Sequence, residues 1–595
     1  MAGGASSLDG KMVVAAIDFG TAYSGYAFSF RNNFRLNPLD IDVNQWSGED
    51  ALTMSSKAPS SVLLTPDKAF HSFGYEAEEE YSSLVENEQH QDWYFFRNIK
   101  MRLLYKEKLS RSDTICDECD KPMPGITILS MIIRHLKAVL FKSLEKRGFP
   151  PREEDILWVL TVPAIWSDAA KQFTKEAAEE AGIQSRDLMF VYEPEAAALY
   201  CWQQKLQQKL TNINAIEDMT ENEERTKFSI GQKILVFDMG GGTTDISVIQ
   251  IKSKKEIHIV EEATGGPFGG TSINEKFCQW LDDVFGKNNM QKFKHENMSD
   301  HMQFIREFEQ KKRKSEKPLC LQIPLSLKLI AEKTWGCKLE DRFEKRDVAF
   351  PGIKVKARGK LFLPSSFLSG NLILPLAKNV FAEMERILKK HSDITSVLAV
   401  GGLAQSVVMT SELRKYAKTI PVYVPFDSSV AVLKGAVLYG HENNVIKARV
   451  CKCSYGIQTM RPFEEKEDDP RKKVKQEGET WCKECFRVLY RKGSMIKLGD
   501  VSSYELEESF HDENRKEKRF KPIRCVLFRS DSETVQRYVT EKGCYEHGTI
   551  EIDAPEDGFP LSYECTVELE FAGTEIIARL KDKERTKTLR LDFIN

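Results

Sequence analysis

Residues 234–249, Ile-Leu-Val-Phe-Asp-Met-Gly-Gly-Gly-Thr-Thr-Asp-Ile-Ser-Val-Ile, constrain this chain more than any other stretch. An apolar strand runs into Asp238. Three glycines, Gly240, Gly241 and Gly242, follow, then Thr243 and Asp245 open a second apolar strand. Successive glycines reach backbone angles closed to other residues, so several N–H groups can converge on one anion. The flanking carboxylates are placed to hold a hydrated divalent cation. The pattern reads as a phosphate loop on a β-hairpin. The Walker pattern, with Gly-Lys-Ser/Thr ahead of a helix, is absent here.

Residues 12–30 repeat the design more weakly. Another apolar strand ends in Asp18, followed by Gly20, Thr21, Ala22 and Tyr23 and a second strand. Two such hairpins predict two related lobes facing one crevice. Between them the sequence is mixed α/β. A helix is predicted over 126–146 and a strand over 156–162. A helix capped by Ser167 should run to Ala181, and a short strand over 188–192 should lead into Glu193-Pro194-Glu195-Ala196-Ala197-Ala198. Residues 203–232 read as an extended helix plus a surface insertion, 286–318 as helical and 372–390 as an amphipathic helix. Residues 395–400 read as a strand ending in Gly401-Gly402.

Beyond about residue 445 the pattern changes to short β-prone segments, 525–529, 548–552 and 563–571, which suggest a separate antiparallel β domain. The division expected is 1–444 for the α/β part and 445–595 for the β-rich part. Two charge-dense stretches, 464–479 and 511–521, read as solvated loops.

A formal net charge of −3 gives no global attraction to nucleic acid or anionic lipid. No apolar run reaches the roughly 18–20 residues of a membrane span, and residues 1–11 lack the basic and apolar regions of a secretory signal. The 13 cysteines are odd in number and scattered, which suits a reducing compartment: the cytosol, with the nucleus as the alternative. Cys116-Asp-Glu-Cys119 is one close pair. Cys451 and Cys453 with Cys482 and Cys485 could in principle supply four zinc ligands, but free structural thiols are the preferred reading.

Five elements now stand in order: Asp18-Phe-Gly-Thr21, Lys100, Glu193-Pro-Glu-Ala-Ala-Ala, Asp238-Met-Gly-Gly-Gly-Thr243-Thr-Asp245 and Gly401-Gly402. In these the chain resembles the actin-like ATPase superfamily, and within it the 70-kDa heat-shock proteins of the divergent 12A/12B branch, over residues 12 to about 440. The resemblance implies duplicated ribonuclease-H-like lobes that bind Mg-ATP or Mg-ADP. Asp18 and Asp238 would hold waters of the Mg²⁺, and N–H groups of Thr21–Tyr23 and Gly240–Thr243 would cradle phosphate oxygens. Lys100, Glu193, Asp238, Thr243 and Asp245 would serve hydrolysis. Gly269, Gly270, Glu309, Arg313, Gly401 and Gly402 would line the nucleoside side.

The departures from that family are specific. Gly401-Gly402-Leu403-Ala404-Gln405 stands where Gly-Gly-Ser-Thr-Arg is usual, which removes a flat cation from the adenine. Ala22 replaces a threonine, and Thr271 and Ser272 replace acidic residues. No acidic-aliphatic linker follows residue 440, and about 150 residues leave no room for a long helical lid. The expected function is an atypical ATPase that turns over slowly, coupled to a module for a protein client. The alternative is a nucleotide-gated adaptor for a signalling or receptor partner with negligible turnover. A small-molecule kinase of the superfamily is disfavoured by the Lys100 and Glu193 segments.

Overall fold

The computed structural model describes residues 10–47, 54–104, 109–212, 229–312, 318–344, 352–476, 478–511, 513–582 and 586–589. The chain divides into two compact units. One comprises residues 1–251 and 263–443, the other residues 252–262 and 444–595.

The first unit is built on two sheets that share one strand order. In the first, Val13–Asp18 pairs parallel with Ile156–Val162, which pairs parallel with Leu188–Tyr192. Tyr23–Phe30 returns antiparallel on the other side of Val13–Asp18, with Asp18 opposite Gly25. In the second, Lys233–Met239 pairs parallel with Ile394–Val400, itself parallel to Val422–Tyr423, and Thr244–Ser253 returns antiparallel with Asp238 opposite Asp245. Every residue of Val13–Asp18 and Ile156–Val162 is buried, as central strands covered on both faces require. The helices repeat as well. Ser167 caps Asp168–Glu180 by accepting from the Ala170 N–H at 3.2 Å, and Ser406 caps Val407–Ala417 by accepting from Met409 at 3.5 Å.

Helix Glu193–Asn212 and helix Ala431–His441 cross at their small residues. A Cβ on Gly435 would lie 1.7 Å from the Ala196 carbonyl oxygen. A Cβ on Gly440 would lie 2.4 Å from Val14 Cγ1, so the second of these helices lies against the first sheet. Ser29 Oγ and His441 Nε2 are 2.7 Å apart at its end.

Several sequence expectations change in detail. The 372–390 helix begins at Leu374, because Leu368–Ile373 forms a π-turn ahead of it. The segment predicted helical over 286–318 holds two helices, Lys287–Glu296 and Met298–Lys312, and its residues 313–317 lie outside the described residues. Helix Glu193–Asn212 covers the start of 203–232, and residues 213–228 of that insertion lie outside the described residues.

The second unit is mainly antiparallel β. A five-stranded sheet runs in the order Lys473–Gln476, Glu479–Tyr490, Ser454–Pro462, Ile523–Ser530, Cys544–Ile552. A four-stranded sheet runs Val501–Ser509, Ser562–Ala572, Glu575–Lys581, Thr586–Leu589. Ile457, Leu527, Ile550, Val567, Leu569 and Leu580 are among its core side chains. Residues 257–259 pair parallel with 446–449, and Met495–Lys497 pairs antiparallel with Ile446–Val450.

The stretch 464–479 is not a solvated loop. Lys473–Gln476 is a strand, and Asp468 is buried, accepting from Arg461 at 2.6 and 2.9 Å, from Tyr538 at 2.9 Å and from the Glu464 N–H at 2.9 Å. Alternating charges masked it: Arg461, Arg537 at 3.2 Å and Tyr538 all converge on one acidic side chain. In 511–521, Glu513–Phe520 forms a 3-10 helix.

The Gly435 crossing yields a direct test. Gly435→Ala drives a methyl into backbone that cannot rotate away, and should cost about 3 kcal/mol or more, read as a lower urea midpoint for unfolding. Gly370→Ala, which meets no atom within 4 Å, should stay within about 1 kcal/mol. Equal midpoints for the two variants would refute the close crossing.

Candidate functional site

Strand pairing brings the ends of both hairpins to one cavity. Its lining includes Asp18, Gly20, Thr21, Ala22 and Tyr23 from the first hairpin and Asp238, Gly240, Gly241, Gly242 and Thr243 from the second. Lys100, Glu193, Gly270, Glu309, Gly401 and Gly402 complete the predicted residues there. Two predicted residues are placed otherwise. Asp245 is buried behind the second hairpin and accepts from the Ile165 N–H at 3.1 Å. Gly269 packs under the loop, where a Cβ would lie 2.5 Å from the Gly241 backbone. Arg313 lies outside the described residues.

The two loops touch, and glycine is what allows it. A Cβ on Gly242 would lie 2.2 Å from Thr21 Oγ1 and 2.8 Å from Met101 Sδ, and one on Gly241 would lie 2.9 Å from Ala22 Cβ. Gly402 differs: nothing lies within 4 Å of the position its Cβ would take. Gly401 beside it adopts φ +87, and a Cβ there would strike the Met239 carbonyl and Asp238 Oδ1.

Each loop is braced from behind. Ser60 Oγ donates to the Gly20 carbonyl at 2.7 Å and is 2.7 Å from Ser24 Oγ, which accepts from the Gly20 N–H at 3.2 Å. The Gly240 and Gly241 carbonyls accept from the Gly270 and Thr271 N–H groups at 3.2 and 2.7 Å, so the second loop caps helix Gly270–Phe285. That helix packs on Met298–Lys312 through Phe277 and Phe308, stacked 3.8 Å apart. Lys312 Nζ donates to the Gly270 carbonyl and to Asn274 Oδ1, both at 2.5 Å. This ties down the helix that carries Glu309.

Four carboxylates are concentrated here: Asp18, Glu193, Asp238 and Asp245, each less than a tenth exposed. Lys100 is 3 % exposed and donates to the Phe19 carbonyl and to Glu193 Oε1, both at 2.8 Å, with its ammonium 4.8 Å from the Trp166 ring centroid. Asp18 accepts from Thr161 Oγ1 at 2.8 Å and is ion-paired with Lys57.

The carboxylates respond differently. Burial would raise Asp18, but the ammonium groups of Lys57 and Lys100 outweigh it and hold the carboxyl below its ordinary value. Burial pushes Glu193 up to about 7; Lys100 opposes this, while Asp18 and Asp245 add to it. Burial, then Glu193, Asp245 and Asp18, raise Asp238 well above the ordinary range. The difference is the count of cations: Asp18 faces two and Glu193 one.

Among the described residues, no group of three or more His, Cys, Asp or Glu side chains could hold a metal ion directly. Asp18 and Asp238, both lining the cavity, would suit a hydrated cation held through its waters, as magnesium prefers. Cys451, Cys453, Cys482 and Cys485 form no such group either. The Cys451 and Cys485 thiols donate to the carbonyls of Cys453 and Cys482 at 2.9 and 3.3 Å, and all four are free thiols.

A family model described as Hsp70 protein matches residues 111–345. Heat shock 70 kDa protein 12A of Mus musculus is 28% identical over 640 residues, covering 98% of this chain and 92% of its own length. Heat shock 70 kDa protein 12B of Homo sapiens is 28% identical over 644 residues, covering 98% and 91%. These matches show similarity to Hsp70 proteins, and over nearly the whole chain to the 12A and 12B members. Chaperone protein DnaK of Thermoplasma volcanium is also similar, 26% identical over 315 residues, or 51% of this chain and 43% of its own. The Hsp70 match implies an actin-like ATPase α/β fold, and the first unit is mixed α/β. No helix among the described residues is long and apolar enough to cross a membrane.

Sequence reasoning missed Lys57, Thr161 and Lys312, and also Val430 and Val432, which line the cavity along with Leu403 and Gln405. Lys57 lies in Ser-Ser-Lys-Ala-Pro and carries no motif; only its pairing partner identifies it.

The charge pattern predicts a pH dependence. Because the folded Glu193 carboxyl binds its proton more tightly than the unfolded one, its contribution to stability is complete below pH 4.5 and is lost as the pH rises through about 7. Asp238 acts in the same direction. Asp18 acts oppositely, below its ordinary 3.8. The melting temperature of the ligand-free protein should therefore fall over roughly pH 5 to 8, and Glu193→Gln should flatten the fall. Superimposable profiles would rule out a raised Glu193.

Proposed function

We propose that the first unit binds Mg-ATP in the cavity between its two glycine hairpins and hydrolyses it slowly to ADP and phosphate, with water attacking the γ-phosphate. The observation that carries this reading is the convergence of both hairpin loops, Lys100, Glu193 and Asp238 on one cavity. Thr21–Tyr23 and Gly240–Thr243 would take the phosphates. Gly401, Gly402, Leu403 and Glu309 would take the nucleoside, and Asp18 and Asp238 would orient the hydrated Mg²⁺. The bound cation would neutralise charge developing on the γ-phosphate.

The chemistry of the chain's own groups supports hydrolysis. Glu193, held by Lys100 and raised to about 7, is matched to a general base working near neutral pH. Lys100 fixes its direction and contributes positive charge. The first and second units would be, respectively, an actin-like nucleotide-binding domain of two lobes and a β-rich module for a protein client, in a cytosolic protein.

One observation favours the adaptor as second reading. Helix Ala431–His441 ends four residues before strand Ile446–Val450 begins, so the chain lacks the long flexible linker that a standard chaperone cycle uses. On that reading ATP sets a conformation that a signalling partner reads, and turnover is negligible.

Single-turnover assays separate the two. The wild type should bind ATP and release phosphate. Glu193→Gln should slow release by about 100-fold with ATP affinity within about threefold, and Asp238→Ala should lose both Mg²⁺-dependent binding and release. Tight ATP binding without phosphate release would reject the ATPase in favour of the adaptor.

A further inference from the structure

We infer that Lys57 is a tethered cation of the nucleotide site, one that partly substitutes for Mg²⁺ in neutralising the phosphates. The inference rests on the ATP-binding reading above and adds a residue that the sequence did not mark.

Lys57 lines the same cavity as both phosphate loops. Its ammonium is ion-paired with Asp18, one of the two carboxylates assigned to the waters of the metal. Asp238, the other one, lines the same cavity as Lys57. A single side chain thus brings positive charge into the cavity that holds both carboxylates.

The position is built. Ala58 pairs with Ser24 and Pro59 with Tyr23, and the Ser60 N–H donates to the Ala22 carbonyl at 2.9 Å, so the backbone beside Lys57 is stitched to the first hairpin. Gly25 makes room for the stem: a Cβ there would lie 3.1 Å from Lys57 Cγ.

The other lysines of the cavity are committed elsewhere. Lys100 is 3 % exposed in its side chain and bonded to Phe19 and Glu193, and Lys312 is bonded to Gly270 and Asn274. The Lys57 side chain is 17 % exposed, the more open of the two ion-paired lysines on the carboxylates. An ammonium on a four-carbon stem is a compact point charge with three rotatable donors. It can turn from Asp18 to a phosphate oxygen without leaving the cavity, and a lysine acting on phosphate as a point charge is a common solution.

Two cations then serve one set of carboxylates and phosphates. When Mg²⁺ is removed, Lys57 remains and retains part of the attraction. When Lys57 is neutralised, the metal and Lys100, whose ammonium is already bonded to Glu193 and Phe19, are left to offset the carboxylates, so chelation should be far more damaging.

The test is a calorimetric titration of the full-length chain with ATP, in Mg²⁺ and in EDTA. Chelation should weaken wild-type binding by no more than about tenfold and Lys57→Met binding by about 100-fold or more, with Lys57→Arg close to wild type. Equal factors for wild type and Lys57→Met would overturn the inference while leaving ATP binding intact. No ATP binding by the wild type in Mg²⁺ would overturn the ATP reading and this inference together. Should Lys57→Met fail to fold because Asp18 is left unpaired, the comparison is made between Asp18→Asn and Asp18→Asn/Lys57→Met. The same excess sensitivity is expected in the double variant, and its absence overturns the inference.

Discussion

The first unit is organised around an excess of buried negative charge. Asp18, Glu193, Asp238 and Asp245 are brought to the ends of two sheets, and the cations at hand for them are Lys57 and Lys100. Buried carboxylates without partners are costly, and here only some of the cost is met. Asp18 is kept ionised by two lysines. Asp238, which lacks such a pair, is pushed toward its protonated form. The scaffold supplies the stability that tolerates this. The strands Val13–Asp18 and Ile156–Val162 are buried end to end, and burial of such apolar residues contributes roughly 25 cal/mol per Å² of surface removed from water. A site in this condition favours any ligand that arrives with cations.

The repeated architecture explains how two distant segments arrive at one point. A parallel pair followed by an antiparallel return places the loop of each hairpin at the same end of its sheet. Each sheet is followed by a serine-capped helix in the same relative position, Ser167 in one and Ser406 in the other. The helices Glu193–Asn212 and Ala431–His441 then meet at Gly435, closely enough that backbone touches backbone. Glu193 is the first residue of one of those helices, so the helix contact that packs the unit also aims a carboxylate at Lys100.

What could be read in the sequence was whatever depends on local pattern. The glycine hairpins, the 156–162 strand and the Ser167-capped helix follow from apolar runs, glycine clusters and caps, and these come out as read. What could not be read depends on partners far along the chain. Lys57 and Asp18 are 39 residues apart and share no motif. Lys312, in a charge run that looks like a solvated helix face, is 6 % exposed because Gly270 and Asn274 claim its ammonium. Asp468 was hidden in the same way among charges that resemble a loop, and only Arg461 and Tyr538 show why it is buried. The π-turn at Leu368–Ile373 left no mark in the apolar spacing.

On the proposed reading, the nucleoside end of the cavity follows a different logic from the phosphate end. Gly402 leaves open space where a side chain would be, while Gly401 is forced by the Met239 and Asp238 backbone and side chain to be glycine. Leu403 is nearly fully buried, and with Val430 and Val432 it presents apolar surface, with Gln405 and Ser429 as neutral polar groups among them. A flat arginine at position 405 would attract a base by charge and stacking. Leucine, valine and glutamine can offer only contact area and hydrogen bonds, which discriminate less strongly between bases. The recognition energy of such a site must come mainly from its phosphate end, where the carboxylates, the two lysines and the glycine loops are concentrated. On that arrangement the cations, more than the base, decide whether the nucleotide stays bound.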